Sequence, residues 1–275
     1  MNQESNSTMR FVSGHSRAQW VTFFMVLCIV LDVIAVISTS YQIGLLSKVM
    51  AGQTVTQAEV AANDSRQQTI GILQVAAFLA TAIAFLIWIH RAHRNVPALG
   101  ATDLKYSSRW AVGGFFVPFV NLVHPFQVVK EIWRVSDPAS LNGTNDTKTP
   151  PIVGWWWGLF LVSGFFSSAV DPMVRHGAEK LSDVISASWL MLFSDVLAVP
   201  PAILAILVVR TIDQMQEESY RQILIRGPSQ EIAAEKANVA KDLKALAELY
   251  RTQGKLADAE RLEKRARETV SNQER

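Results

Sequence analysis

Four stretches of this chain are each apolar for about as long as a helix needs to cross the hydrocarbon core of a bilayer, roughly 20 residues. They are residues 20–41, 70–89, 152–170 and 184–209. Charged residues make up 18% of the chain, below the roughly 25% usual for a soluble domain, and the mean hydropathy is +0.18. Clustering is the stronger argument: the apolar residues are gathered into runs, which separates a membrane chain from a greasy soluble one. The first run is longer than the roughly 7–15 residues of a signal sequence. It ends in Ser38-Thr39-Ser40-Tyr41 without a small-x-small cleavage site, so it reads as an uncleaved first span. Trp88, near the end of the second run, suits the aromatic belt of a membrane interface. Pro200 and Pro201, in the second half of the fourth, are expected to kink it, because each removes a backbone N–H and crowds the preceding turn. The single cysteine, Cys28, lies inside the first run and reads as a small buried hydrophobe.

Residues 110–129 are apolar enough to form a fifth span, yet they carry Pro118, Asn121, His124 and Pro125. Irregular, polar backbone is tolerated at membrane depth only where it is buried in protein or lines a wet cavity. The basic residues decide between a crossing and a re-entrant segment. With a cytoplasmic N-terminus and no crossing at 110–129, 12 of the 16 Lys and Arg in residues 1–228 fall inside. The four outside are Lys48, Arg66, Arg175 and Lys180. A full crossing makes the split 8 to 8. The positive-inside bias therefore favours four spans, a re-entrant or Pro-kinked segment, and both termini in the cytoplasm.

Three regions lie between or beyond the spans. Residues 1–18 are a polar tail before the membrane domain of 19–228. Residues 137–151 have loop chemistry, with Pro138, Asn142, Gly143, Asn145, Asp146, Pro150 and Pro151. Gly227-Pro228 marks the end of the membrane domain. Beyond it, residues 229–275 hold 10 basic and 9 acidic residues. Ile232, Val239, Leu243, Leu246 and Tyr250 recur there at helical spacing, as do Leu256, Ala259, Leu262, Ala266 and Val270 after Gly254. The pattern predicts two amphipathic helices joined by a tight turn.

Two resemblances follow from the residues. Trp88-Ile89-His90-Arg91-Ala92-His93-Arg94-Asn95, Leu99-Gly100, Arg109-Trp110-Ala111-Val112-Gly113 and Phe116-Val117-Pro118-Phe119-Val120-Asn121-Leu122 stand in one order. Pro125, Glu131-Ile132-Trp133-Arg134, Asp137-Pro138 and Gly154-Trp155-Trp156 complete it. Over residues 20–220 this resembles the bacterial membrane family catalogued as domain of unknown function 4328. The resemblance implies a multi-spanning protein of a bacterial plasma membrane and attaches no activity. In the tail, the stretch from Leu246 through Gly254 to Leu256, with Ala247, Ala259 and Ala266, is similar to one tetratricopeptide repeat. It departs from that repeat at Glu263, where a bulky apolar residue is usual, and lacks the late proline. A single unit must dock on something else, self-associate or remain marginal, since stacks need about three.

Candidate chemistry is sparse. Asp32 and Asp195 sit well inside the first and last spans, where a charge costs about 2.5–3.5 kcal/mol on insertion scales, so each is a functional candidate by default. They could share a proton, bind a cation or bond to neighbouring helices. Pro200 and Pro201 free carbonyls near Val196 and Leu197, close to Asp195. Neither aspartate has the Gly-x-Gly-Asp context of intramembrane aspartyl proteases, and Val162-Ser163-Gly164 lacks the Gly-x-Ser of a rhomboid-like site. His90 and His93 share a helix face with Arg91 and Arg94 beside them. They read as a basic flank touching anionic headgroups rather than a metal pair, since no carboxylate or cysteine stands at ligand spacing nearby. Asn121 and His124, between the prolines, could line a small polar cavity. Gly113-Gly114 and the pair Gly158 and Gly164 read as close helix contacts. No phosphate loop, dinucleotide fingerprint or zinc-protease helix occurs.

The expected fold is all-α: a membrane bundle of four spans, a re-entrant or kinked segment and a cytoplasmic helical hairpin. The expected role is a non-enzymatic interaction protein without cofactor or metal. It would hold a cytoplasmic protein or a second copy on a face of Leu246, Tyr250, Leu256 and Leu262. The lipid bilayer is the other expected partner, and a net charge of +2 gives no basis for nucleic acid. The alternative is a small transporter or channel-like protein using Asp32, Asp195 and the Asn121 kink.

Overall fold

The computed structural model of the chain describes residues 10–101, 104–142, 150–176 and 180–271, with backbone alone at 142, 171–176, 228–233 and 270–271. The first part of the polar tail and the centre of the expected 137–151 loop lie outside the described residues, as do the side chains of Ile232 and Val270. Among the described residues there is no strand. The helices are α1 (His15–Met50), α2 (Gln57–Asn95), α3 (Ser108–Gly113), α4 (His124–Ser136), α5 (Pro151–His176), α6 (Leu181–Thr252) and α7 (Leu256–Ser271). Four of them, α1, α2, α5 and α6, carry stretches long and apolar enough to cross a membrane. The chain divides into two compact units, Met1–Ser219 and Tyr220–Arg275.

In the first unit α1 and α2 form an antiparallel hairpin. Gly52, at a φ of 72°, takes the left-handed conformation after α1 that a side chain would resist. Thr56 then starts α2 with a capping box. Its Oγ1 accepts from the Glu59 N–H at 3.3 Å, and its own N–H donates to Glu59 Oε2 at 2.8 Å. Both helices exceed the roughly 20 residues a bilayer core requires, at 36 and 39 residues. Their outward faces are apolar: Ile37, Ile72, Val75 and Ile83 are each 60–62% exposed. So much open apolar surface is a liability in water and is matched by hydrocarbon.

Residues 108–136 form no helix long enough to cross a bilayer. They fold into the short α3, two single 3-10 turns (Gly114–Phe116 and Val120–Leu122) and the 13-residue α4. Pro118 and Pro125 cannot supply the N–H groups a continuous helix needs. The amphipathic α4 buries Val128, Val129, Ile132 and Trp133 against Trp88 and Ile89 of α2, Val153 and Trp156 of α5, and Val208, Val209 and Ile212 of α6. This is the main core, at the end where α1 begins and α2 finishes. Trp88 is 1% exposed and belongs to it, packed against Phe85, so it is not the interfacial belt residue expected from its position. Trp157 Nε1–H donates to the Leu122 carbonyl at 2.7 Å and ties α5 to the turn before α4. Phe119, at a φ of 63°, is in a left-handed conformation rare for a bulky residue and points its ring outward.

The same end is joined by buried polar groups. Gln216 of α6 donates to the Ala92 carbonyl (2.9 Å) and Ser136 Oγ (3.2 Å), and accepts from Asn95 Nδ2 (3.2 Å). Asn95 also closes two bonds with the backbone of Val12, at 3.0 and 3.3 Å. Ser219 Oγ donates to the Ser136 carbonyl at 2.8 Å. His15 Nδ1 meets Asp213 Oδ2 at 2.7 Å. The start of the chain, α2, α4 and α6 are thereby held together where no sequence pattern announced it.

In the second unit, residues 220–252 of α6 and α7 form a helical hairpin. The backbone stays helical through Gly227-Pro228, so the expected boundary there is not a break, and the division between units comes earlier, after Ser219. Pro228 forfeits one backbone bond, but the turns on either side continue. Gly254, at a φ of 77°, makes the turn. Ala240, Ala247, Ala259 and Ala266 are 0–4% exposed, so the two helices close on small side chains. Glu263, the departure from the repeat pattern, pairs with Arg251 at 2.7 Å.

Gly114 is required by the cap, residues 108–136 with α3 and α4. A Cβ there would lie 2.1 Å from Cδ2 of His124, whereas one on Gly113 would meet only the Trp110 ring at 3.5 Å. Gly158 and Gly164 have nothing within 4 Å, so they are not the close contacts expected of them. Gly114→Ala is expected to destabilise the purified protein by about 1–3 kcal/mol, the usual cost of overpacking. Gly113→Ala should stay close to wild type in the same thermal unfolding in detergent. Equal melting of the two variants would show that the His124 contact does not matter.

Candidate functional site

The polar side chains within the apolar helices gather along the seam of α1, α2 and α6. At its centre, Gln74 Nε2 donates one hydrogen to Asp32 Oδ1 (3.0 Å) and the other to Asp195 Oδ1 (3.2 Å). One carboxamide thus uses both its donors to bridge two carboxyl groups on separate helices. Beside them, Ser194 Oγ and Ser167 Oγ are 2.7 Å apart and link α6 to α5. Further along α2, Thr81 Oγ1 contacts Cys28 Sγ at 3.3 Å. Toward the opposite end, Gln42 Nε2 donates to Ser188 Oγ at 3.0 Å. Arg66 donates to Ser38 Oγ (2.9 Å) and Asn63 Oδ1 (2.6 Å), with its guanidinium 5.6 Å from the centre of the Tyr41 ring. From Asn63 to Thr81 these groups rise about 27 Å along α2, at about 1.5 Å per residue.

Helical spacing explains the ladder. Asn63, Arg66, Gln74 and Thr81 fall three to eight residues apart, close to whole turns, so they return to one face of α2. In an apolar surrounding a carboxyl group must find donors or a neutralising proton or cation. The arrangement can therefore hold helices together, and it can also hold a small positive charge between two acids.

Asp32 and Asp195, expected to share a proton, bind a cation or bond to neighbouring helices, both bond to Gln74. Asn121 and His124 do not join them. The Asn121 side chain is exposed, and its backbone N–H bonds to the Val117 carbonyl at 3.0 Å. His124 is 4% exposed and donates from Nε2 to the Trp110 carbonyl at 2.9 Å, with Tyr106 and Trp110 against its ring. Both belong to the cap. Pro118 and Pro125 bracket its turns. Pro200 and Pro201 lie in α6, whose helical assignment runs unbroken across them. Gln74 was missed, although it is one of only two polar residues in the 70–89 run, with Thr81.

The histidines of α2 also turn out differently. His93 is fully buried, with Nδ1 3.1 Å from Ser108 Oγ and Nε2 3.3 Å from Glu131 Oε2. Glu131 Oε1 accepts the Lys105 N–H at 2.6 Å. His90 donates from Nδ1 to the Ser108 carbonyl at 2.9 Å. These rings fasten the cap to α2 and are not a headgroup flank, because the cap folds back over the face they occupy. Among the described residues no cluster of His, Cys, Asp and Glu has metal-binding geometry.

On the hairpin, Leu246 and Leu256 are 41% and 63% exposed, while Tyr250 and Leu262 are half-buried. Leu249 and Val239, outside the expected set, are as open as Leu246.

If Gln74 bridges the acids, Gln74→Leu should lower stability by about 1–2 kcal/mol, the upper range for hydrogen bonds between membrane helices. Replacing Asp32, Gln74 and Asp195 all by leucine should recover most of that loss, because no polar group is then left without a partner. Unfolding in detergent measures both. A triple variant as unstable as Gln74→Leu would show that the bridge is not what the single change removes.

No curated protein and no solved structure matches this chain. The family profile described as "Domain of unknown function (DUF4328)" matches residues 51–214, from the start of the loop between α1 and α2 into α6 and over more than half of the chain, and the chain therefore belongs to that family.

Proposed function

We propose that this protein is a membrane-anchored interaction protein without catalytic activity, with both termini in the cytoplasm of a bacterial cell and the hairpin of residues 220–271 as its recognition element. One observation carries the reading. The hairpin closes on alanines and leaves its larger apolar side chains outside, with Val239, Leu246, Leu249 and Leu256 between 41% and 63% exposed. A hairpin that served only its own stability would bury leucine before alanine, since each buried leucine contributes about 1.5–3 kcal/mol. The tetratricopeptide-like spacing supports recognition of a protein, since that repeat packs against neighbours. The 12-to-4 split of basic residues supports the orientation.

A second reading, a small transporter or channel-like protein, is favoured by the Asp32–Gln74–Asp195 bridge and the polar ladder leading to it. Asn121 no longer contributes to it, because its side chain is exposed on the cap.

Side-specific labelling tests the first reading. In a Cys28→Ala background, Thr147→Cys and Ser229→Cys should resist an impermeant maleimide in intact cells and react after permeabilisation. A photoreactive residue at Leu256 should then crosslink to a discrete protein, and Leu246→Glu should abolish the adduct. Labelling of both cysteines from outside would place the tail beyond the membrane and end the proposal. Intact function in the Leu246→Glu variant, with loss in Asp32→Asn and Asp195→Asn, would transfer the case to transport.

A further inference from the structure

With His90 and His93 turned inward, the arginines of the same stretch have no carboxylate partner among the described residues. Arg91 donates from Nε to the Val12 carbonyl at 3.2 Å, and its Nη2 is buried with no hydrogen-bond partner. Arg17 and Arg94 are near enough to repel its charge. Arg17 makes only a long 3.5 Å contact with the Ser13 carbonyl. Among the described residues no carboxylate pairs with any of the three, and Asp213 is taken by His15. Arg17, Arg91 and Arg94 thus stand at the ends of the apolar runs of α1 and α2, with Arg91 near both of the others.

A groove leads to them. Arg17, Trp20 and Phe24 of α1 and Ala80, Ala84 and Ile87 of α2 line an open cavity of about 460 Å³. Positions 80, 84, 87, 91 and 94 recur at steps of three and four, so Arg91 and Arg94 continue the face of α2 that lines the groove. Positions 17, 20 and 24 do the same on α1. The alanines form the floor, and Trp20, stacked on Phe24 with ring centres 5.9 Å apart, forms a wall. An apolar channel ending in three unpaired cations matches one kind of occupant, an amphiphile with a hydrocarbon chain and an anionic head.

We propose that this groove binds an anionic phospholipid, with an acyl chain between Trp20 and Ala84 and the phosphate held by Arg17, Arg91 and Arg94. The phosphate oxygens accept from the planar guanidinium groups. The site depends on α1 and α2 alone and is independent of what the hairpin recognises.

Native mass spectrometry of the full-length protein in a neutral detergent tests this, with equimolar phosphatidylglycerol and phosphatidylcholine as probes. The protein should retain phosphatidylglycerol preferentially. Each of Arg91→Gln and Arg94→Gln should cut the preference about fivefold, from the usual contribution of one basic residue beside an anionic lipid. Ala84→Phe, which fills the floor, should reduce retention of both lipids. Millimolar inorganic phosphate should not displace the lipid. Should Arg91→Gln fail to fold, Arg94→Gln, whose side chain is exposed, still decides the point. Equal retention of the two lipids, an unchanged preference in Arg94→Gln, or displacement by inorganic phosphate would overturn the proposal, the last by showing that the arginines hold a free anion.

Discussion

One buried carboxamide, that of Gln216, joins the elements at one end of the unit Met1–Ser219. Its two donors and its oxygen reach α2, α4 and, through Asn95, the backbone of Val12, and the side chains involved are 0–3% exposed. A polar network in such surroundings is worth most when every member is satisfied and costs most when one is missing. Hydrocarbon solvates a lipid-facing leucine as well as a helix interface does, so apolar contact alone gives membrane helices little preference for one arrangement over another. Directional bonds provide that preference. Gln216 and Asn95 orient one end of the bundle, and Gln74, between Asp32 and Asp195, orients the middle.

The two ends of the bundle are built on different principles. At the first, the cap of α3 and α4 inserts Val128, Val129, Ile132 and Trp133 among four helices and makes a core as dry as that of a soluble protein. His93 of α2 holds it from outside, His124 ties α4 to α3 within it, and the ring of His124 leaves no room for a side chain at Gly114. Along the remainder, the seam of α1, α2 and α6 is polar at intervals, and the outer faces carry the large apolar side chains.

Much of the architecture was legible in the residues. Long apolar runs have few ways to satisfy their backbone except as spanning helices, so residues 20–41, 70–89, 152–170 and 184–209 all fall within long helices. Pro118 and Pro125 ruled against a continuous helix, and the segment is broken there. The acids were visible because charge is rare in such runs. Gln74 was passed over because a carboxamide is not charged, although its isolation among apolar neighbours was itself a signal. Trp88 and His93 were misplaced for one reason: a residue at the end of an apolar run faces headgroups only if nothing folds over it. Gly227-Pro228 was read as the boundary after the last span, and the backbone is helical on both sides of it.

By itself the sequence determined the class of solvent and the class of element, because hydrophobic run length, proline and glycine act locally on backbone hydrogen bonding. It determined that the chain is helical, that four helices are long and apolar enough to cross a membrane, that residues 110–129 are irregular, and that the tail is a hairpin turning at Gly254. Only the tertiary structure decided which polar groups meet. The distances between Asp32, Gln74 and Asp195, between Asn95 and Gln216, and between Arg17 and Arg91 span tens to more than a hundred positions in the chain, and no periodicity within one helix encodes the rotation of another against it. That rotation turned the histidines of α2 toward the cap, placed Arg91 against the backbone of Val12 and left Arg94 exposed.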